Sequence, residues 1–295
     1  MKKITIAALV AASFGASAQV SLTGKVSEWV DSNKVGATTS TSIAAAPTSN
    51  ITISVNEKLG GGLTARAIAD TSLSGNSIAG AGTQLGDRQG TVGLASSMGA
   101  VDFGRNVHSE FIAITSNDPF GTMYGSIAGD VHNLRGLRLS DGMFVSMTPI
   151  KGVTATWDRS NSPTGADKTS YSVSGSFAGV AATVAAYTSG VEKSTVAALS
   201  AKLGGTDVSF THSDNKSAAA GETKKGDMIG ASQALGAFVA KASYGKTNTN
   251  VKAYSVGGDY NLSKRTAVGV AYRNVDMVAT KSDVKQIGVG LTHLF

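Results

Sequence analysis

Hydrophobic and polar residues alternate along much of this chain with a period of two. Between Tyr254 and Leu262 the even positions are mostly apolar or aromatic, whereas Ser255, Asp259 and Asn261 lie at odd positions. Successive side chains of a β-strand point to opposite faces, so this alternation predicts strands. Further alternating stretches occupy 20–27, 268–273 and 285–295. Ala and Gly are frequent on both faces, which disfavours a soluble sandwich and favours a transmembrane barrel, with apolar side chains outside and small polar ones inside.

Turn signals divide the chain at a regular rhythm, with tight turns and long polar links in alternation. Gly supplies the positive φ that short hairpin turns require. The seven predicted tight turns lie at 59–62, 97–100, 149–152, 177–179, 203–205, 235–236 and 262–265. The eight predicted long links lie at 31–49, 71–87, 107–141, 161–167, 189–193, 214–225, 247–250 and 275–283. Fifteen connections predict a 16-stranded antiparallel transmembrane β-barrel whose two termini meet on the short-turn side and remove the sheet edge.

The first 18 residues have the composition of a secretory signal peptide. Lys2 and Lys3 precede a short apolar run, and Ala16-Ser17-Ala18 supplies the small residues of a cleavage site. We expect cleavage after Ala18, which leaves residues 19–295 as one barrel domain and lowers the formal charge from +6 to +4. Later apolar stretches are too short to span a bilayer as helices, so a membrane location would require closed β-structure.

Composition removes several classes of chemistry. The chain has no Cys, which excludes disulfides, thiol catalysis and cysteine-ligated metal clusters, and its four histidines are scattered without ligand spacing. No local arrangement joins a nucleophile, a base and an orienting acid, and the 26 basic residues form no patch typical of nucleic-acid binding. We therefore expect no enzymatic activity, no metal, no cofactor and no nucleic-acid partner.

Three blocks of the sequence resemble the general trimeric porins of Gram-negative outer membranes, most closely the β-proteobacterial type. These blocks are Asp87–Leu94 followed by Gly99–Arg105, the turn region Glu57–Leu63, and the C-terminal Gly290–Phe295. The resemblance implies a homotrimer in outer-membrane lipid, long extracellular loops, and a third loop folded into the lumen. It also implies that the C-terminal strand, with Leu291, His293 and the terminal Phe295, is the signal read by the outer-membrane assembly machinery.

The long link 107–141 corresponds to that third loop, and long loops in compact proteins are usually functional. We expect its acids Glu110, Asp118 and Asp130 to face basic residues of the pore wall and to set a field across the narrow zone. The expected basic residues are Arg66, Arg88, Arg135 and Arg138.

Strand parity supports part of this basic wall. Arg66 would cost about 2–4 kcal/mol facing lipid at the midplane and should point inward, as should Lys25, Lys241 and Arg273. Arg88 shares the parity of Val92 and so would face lipid unless it lies near the rim or beside a bulge. Asn50 occupies a position where the family carries an arginine, so we expect a thinner basic cluster and weak selectivity.

The sequence thus predicts an outer-membrane channel for passive diffusion of ions and small hydrophilic solutes, with a weak anion preference. The alternative is a barrel that acts mainly as a surface adhesin or structural protein with little conductance. A soluble secreted β-protein is a third possibility. Conductance and the need for detergent separate these alternatives.

Overall fold

The computed structural model describes residues 18–45, 49–73, 84–121, 123–132, 134, 138–161, 165–216, 223–277 and 283–295. Arg135 and the signal segment before Ala18 lie outside these ranges. The strands are β1 Gln19–Val35, β2 Thr38–Ala45, β3 Asn50–Gly60, β4 Leu63–Ser72, β5 Gln89–Ser96, β6 Gly99–Val107, β7 Arg138–Ile150, β8 Val153–Ser160, β9 Lys168–Phe177, β10 Val180–Ser189, β11 Glu192–Leu203, β12 Thr206–Lys216, β13 Thr223–Leu235, β14 Phe238–Thr247, β15 Val251–Asn261, β16 Thr266–Met277 and β17 Val284–Leu294. Two short helices, α1 Ser109–Thr115 and α2 Ala128–Val131, lie between β6 and β7.

All the strands belong to one antiparallel sheet that closes on itself. From β3 to β17 each strand pairs with the next, and β17 pairs with β1 along residues 25–35 of β1. On its other side β1 pairs with β3 through residues 19–25 and with β2 through residues 28–35. Since β2 and β3 together occupy one place in the sheet, the wall has sixteen strands, as predicted.

The seven predicted tight turns are all confirmed, since each joins two consecutive strands of the wall. The turn between β11 and β12 is an example, with Gly204 at φ 58° and Gly205 at φ 96°. A side chain is strained at such angles, which explains why glycine marks these turns.

One predicted link is wrong. Residues 31–49 were expected to form a long loop, but β1 continues to Val35, turns at Gly36 and Ala37, and returns as β2. The β2 sequence TTSTSIAA is rich in Thr, which suits strands, yet it lacks the apolar alternation used to recognise them. Ile43 and the two alanines after it are the only apolar residues of β2, too few to produce an alternating pattern.

The two faces of the wall differ in character. Large apolar side chains such as Val92, Leu199 and Ile229 are about half exposed on the outer face. The inner positions between them carry small or hydroxylated residues, among them Ser170 and Ser213, which are buried by other parts of the protein. Apolar-out and polar-in is the pattern of a transmembrane barrel. No helix in the described ranges is long and apolar enough to cross a bilayer.

Candidate functional site: the segment inside the barrel

The segment between β6 and β7 lies against the inner face of the wall. Helix α1 contacts β8 to β11, and α2 contacts β13 to β15. The wall side chains that bond to the segment, such as Ser170, Ser194 and Ser213, all have the inward parity. We call residues 108–137 the inner loop; 122, 133 and 135–137 of it lie outside the described ranges.

The N-terminal end of α1 is held by the wall. His108 caps the helix, because its Nδ1 accepts a hydrogen bond from the Phe111 amide at 3.3 Å. The amide of Ser109 donates to Asp158 at 2.7 Å, and the amide of Glu110 donates to the Ser170 hydroxyl at 3.0 Å. These bonds satisfy backbone donors that the first turn of a helix leaves without partners.

Two of the three expected constriction acids do not face the lumen. The Glu110 side chain is fully buried and accepts a hydrogen bond from the Ser194 hydroxyl at 2.5 Å. Asp118 is 6% exposed and accepts bonds from the Phe120 amide and the Ser126 hydroxyl. Glu110 therefore fastens the inner loop to β11, and Asp118 holds the loop in shape. The expectation that these two acids line the water-filled passage is wrong.

Asp130 in α2 meets a basic wall residue, as the sequence pattern predicts, but the partner is Arg273. Arg273 Nε donates to Asp130 Oδ2 at 3.1 Å, and a second guanidinium nitrogen forms an ion pair with the same oxygen. The ammonium of Lys224 donates to the Asp130 carbonyl at 2.8 Å. Val131, the next residue, packs directly against Gly226, where an added Cβ would overlap the Val131 carbonyl oxygen. Asp130 thus fastens α2 to β13 and β16.

His132 follows α2 and is completely buried. Its Nδ1 lies 2.8 Å from the Ser213 hydroxyl. Burial, with smaller effects of nearby Lys224 and His212, lowers the pKa of His132 from 6.5 to about 4. The imidazole is therefore neutral at neutral pH, since a charge there would be poorly solvated.

The middle of the inner loop is anchored by an aromatic stack. The rings of Tyr124 and Trp29 are nearly parallel, at 9°, with centroids 4.5 Å apart. Gly288 and Gly290 on β17 lie beneath them, and a Cβ at either position would overlap one of the rings. The two glycines on the inner face therefore make room for the stack that ties the inner loop to β1.

A basic cluster lies on the inner wall formed by β4 to β7 and the segment before β5. Arg66 and Asp102 form a bidentate pair, with Nε and Oδ1 2.7 Å apart. Arg105 Nε donates to the Asp87 carbonyl at 2.7 Å. Arg138 lies within electrostatic range of Arg88 and Arg105, and its Nε finds no hydrogen-bond partner among the described residues.

Arg88 belongs to this cluster although strand parity directs it to the outside. Its Nε donates to Asp70 Oδ2 at 3.0 Å, and Asp70 has the same inward parity as Arg66. Arg88 precedes β5, which begins at Gln89, so the alternation of that strand does not govern it. Arg88 thus lies near the rim and points inward, which is the exception to strand parity that the sequence allows.

Asn50 lies at the Asp70 end of the cluster. Its amide donates to Asp70 Oδ1 at 2.5 Å, so the residue at this end of the cluster is a neutral donor. Lys25 of β1 lies within electrostatic range of Arg88 and Asp70 and completes the cluster. Its five cations, Lys25, Arg66, Arg88, Arg105 and Arg138, and its three carboxylates, Asp70, Asp87 and Asp102, give a formal charge of +2. Sequence reasoning did not assign Arg105 or the three aspartates to the wall. The register shift of β6 after Gly104 removes the simple parity rule there.

The C-terminal residues close the barrel. The Phe295 amide donates to the Gly24 carbonyl at 3.0 Å, and the Gly24 amide donates to the Phe295 carbonyl at 2.9 Å. His293 Nδ1 lies 3.0 Å from the Thr266 hydroxyl, and Leu291 is half exposed on the outer face. Their predicted role as an assembly signal stays a prediction.

No group of three or more potential metal ligands occurs in the described ranges.

Solved structures resemble this fold over nearly its whole length. An anion-selective porin from Comamonas acidovorans superposes with a TM-score of 0.83 at 19% identity, covering 95% of this chain and 100% of the other. A loop-deletion mutant of OmpT, an outer-membrane protein of Vibrio cholerae, gives 0.75 at 11% identity, with 94% and 99% covered. A triple mutant of the Rhodopseudomonas blastica porin gives 0.73 at 18% identity, with 94% and 100% covered. At these identities the likeness shows the fold.

Among curated proteins the chain finds no match. The family model of Gram-negative porins, however, matches residues 5–280. That match, together with the closed barrel, confirms the expectation of an outer-membrane channel for small solutes in place of an enzyme or a soluble β-protein. The chain belongs to the Gram-negative porin family.

Proposed function

We propose that the protein allows ions and small hydrophilic solutes to diffuse passively across the outer membrane, with a weak preference for anions. The observation that carries the anion preference is the basic cluster on the inner wall. Its five cations exceed its three carboxylates, and the Arg138 Nε lacks a hydrogen-bond partner among the described residues. Charged groups lining a narrow passage raise or lower the barrier for each ion sign. The similar barrel from Comamonas acidovorans, itself anion-selective, supports the same direction.

The inner loop adds little negative charge that would oppose this preference. Glu110 and Asp118 are buried, and Asp130 is paired with Arg273. The helices of the inner loop occupy the inner face of β8 to β15. The arginines of the basic cluster lie on β4, β6 and β7 and just before β5. In our proposal, ions pass between these two surfaces. The net charge is small and the cluster faces water, so the preference should fall as salt screens it over about 10 Å at 0.1 M.

Variants of two arginines of the basic cluster test this proposal. Arg88→Gln and Arg138→Gln should each lower the anion-to-cation permeability ratio in planar bilayers under a salt gradient. Lys151→Gln, in a short turn on the opposite rim, is the control for removing one positive charge. If neither arginine variant changed the permeability ratio, the basic cluster would not border the conduction path.

We further propose a homotrimer, export through a signal cleaved after Ala18, and recognition of the C-terminal strand by the outer-membrane assembly machinery. Family membership supports these three properties. Conductance steps in threefold multiples would support the trimer. Silent insertion into bilayers would instead favour the adhesin or structural alternative.

A further inference from the structure

A cavity lies between the inner loop and the inner face of β10 to β13, beside the short turns of these strands. Its volume is about 460 Å³, within the roughly 300–1,000 Å³ of sites that hold small molecules. Residues 116–119 of the inner loop line one side of it. The arginines of the basic cluster lie on other strands, so this cavity is separate from the surface on which the proposed anion preference depends.

Two rows of inner-facing residues cross β11, β12 and β13 beside this cavity, and within each row the residues stand directly opposite one another. The first row is Ser200, Ser209 and Gly230, and the second, two residues closer to the short turns, is Lys202, Asp207 and Ser232. All of them except Gly230 line the cavity. Ser209 establishes the inward direction, because its hydroxyl donates to the Asn117 carbonyl of the inner loop at 2.6 Å. Residues two apart on a strand share a face, so both rows point into the barrel.

The inner loop closes the cavity at the first row. Pro119 packs against Gly230, where an added Cβ would come within 2.5 Å of the proline ring. Asp118, which also lines the cavity, is buried at this end. At the second row, the side chains of Lys202 and Asp207 are 64% and 59% exposed. The cavity is therefore open towards the mouth of the barrel that carries the short turns.

Hydroxyl groups and one ion pair supply the polar atoms of this cavity. Within the described ranges, the hydroxyls of Ser200 and Ser232 form no hydrogen bond, so both can bond to a solute. Lys202 Nζ lies 2.8 Å from Asp207 Oδ1 and 3.0 Å from Oδ2. The ammonium keeps further N–H donors and the carboxylate keeps further lone pairs. The cavity thus presents donors and acceptors side by side.

The charge of the cavity disfavours anions. Among the described residues that line it, Lys202 is the one cation, whereas Asp118 and Asp207 are acids. A solute that carries several hydroxyls, each of them both a donor and an acceptor, matches these groups without bringing a charge. No aromatic ring is among the described lining residues, so a bound solute has no stacking platform. Binding is then weak enough for the solute to leave again, as conduction requires.

We propose that this cavity binds neutral polyhydroxylated solutes, sugars and polyols of about the size of a hexose. The inference rests on the proposed function, because it names a class of solute for the same channel. Neutral sugars bind beside the hydroxyls of β11 to β13, whereas anions pass along the basic cluster on the other side of the lumen.

The test is binding of D-glucose to the intact purified protein, measured by saturation-transfer difference NMR in a detergent without a sugar headgroup. Ser200→Ala/Ser232→Ala should weaken glucose binding by roughly twenty-fivefold, because each neutral hydrogen bond contributes about fivefold. Ser200→Thr/Ser232→Thr keeps both hydroxyls and should retain binding. Ser21→Ala/Ser54→Ala is the matched control, because these two serines stand opposite each other on β1 and β3, away from the cavity.

Absence of glucose binding by the wild type, or equal binding by the wild type and the Ala variant of Ser200 and Ser232, would overturn the inference. So would D-glucuronate that binds at these serines more tightly than glucose. The NMR signal requires no ion flow, so silent bilayers with intact glucose binding would contradict the proposed channel alone. Open channels without glucose binding would contradict this inference alone. Each variant's folded barrel is verified first by its heat-dependent migration on gels.

Discussion

Arg66 on β4 and Asp102 on β6 form their ion pair across the intervening strand β5. The register places Gly93 of β5 between them, opposite both residues. A Cβ at Gly93 would overlap Asp102 Oδ1 and the backbone carbonyl of Val101. The missing side chain therefore allows a salt bridge to span three strands on the inner wall, where it fixes the position of one arginine of the basic cluster.

Gly93→Ala should destabilise the barrel and disturb this pair. The overlap with a backbone carbonyl forces a shift of the strand, and overpacking of this kind costs about 1–3 kcal/mol. Gly90→Ala in the same strand is the control, because its Cβ would find its nearest neighbour at an ordinary 3.5 Å. The temperature of heat-induced unfolding on gels should fall for Gly93→Ala and stay near the wild-type value for Gly90→Ala. Equal temperatures for the two variants would show that the wall tolerates the added methyl group.

Asn50→Arg should strengthen anion preference. Asn50 already donates to Asp70, so an arginine there would keep that contact and add one positive charge to the cluster. The permeability ratio for chloride over potassium should rise severalfold at 0.1 M salt and less at 1 M, where screening acts over about 3 Å. Asn50→Gln keeps a neutral donor and should leave the ratio unchanged. A ratio that does not respond to the arginine would place Asn50 away from the ion path.

Removal of the aromatic anchor should loosen the inner loop. Tyr124→Ala deletes the stack with Trp29, and such pairs contribute about 0.5–1.5 kcal/mol beyond their burial. We expect larger current fluctuations in single channels and faster swelling of liposomes with solutes near the size limit. Tyr260→Ala, which removes a tyrosine exposed on the outer face, should change neither measurement. Identical noise in the two variants would contradict the anchoring role.

The inner loop should detach more readily in mild acid. When docked, the loop keeps His132 neutral with a pKa of about 4, whereas a detached loop regains the ordinary value of 6.5. The detached state thus binds more protons between these values, and docking weakens as the pH falls from 6.5 towards 4. At pH 5 the docking equilibrium should be about twentyfold less favourable than at pH 7.

Current fluctuations between pH 7 and pH 5 provide the measurement. The charged and titratable groups nearest His132 are Lys224, His212 and Asp227. His212 is a second histidine beside it, so His212→Gln is the comparison that keeps the buried imidazole of His132. Fluctuations should rise with acid in the wild type and in His212→Gln, and should lose this pH dependence in His132→Gln. The same acid response in His132→Gln would assign the effect to another group.

The sequence was sufficient for the strand count and for the tight turns. Period-two alternation and glycines at positive φ are local signals, and both depend directly on backbone geometry. The alternation did not predict the hairpin of β1 and β2, because β2 carries polar residues on both faces. Its pairing with β1 is a nonlocal interaction that no short pattern records.

The sequence predicted which kinds of residues form the site, but not how most of them are arranged. The parity of Arg66 correctly indicated an inward side chain, and Asp130 does meet an arginine. The burial of Glu110 could not be read from the sequence, because an acid in a loop is usually solvated. Here the serine hydroxyls of distant strands supply its environment, and only the closed wall brings them together.

The zero-current potential of the purified wild-type protein in a planar bilayer, under a tenfold gradient of potassium chloride, tests the central claim most directly. We predict open channels whose potential has the sign of a chloride-permeable pore and a magnitude well below the ideal value, and which moves towards zero as total salt rises. A potential of the opposite sign, or a membrane that stays silent after insertion, would contradict a passage bordered by the basic cluster.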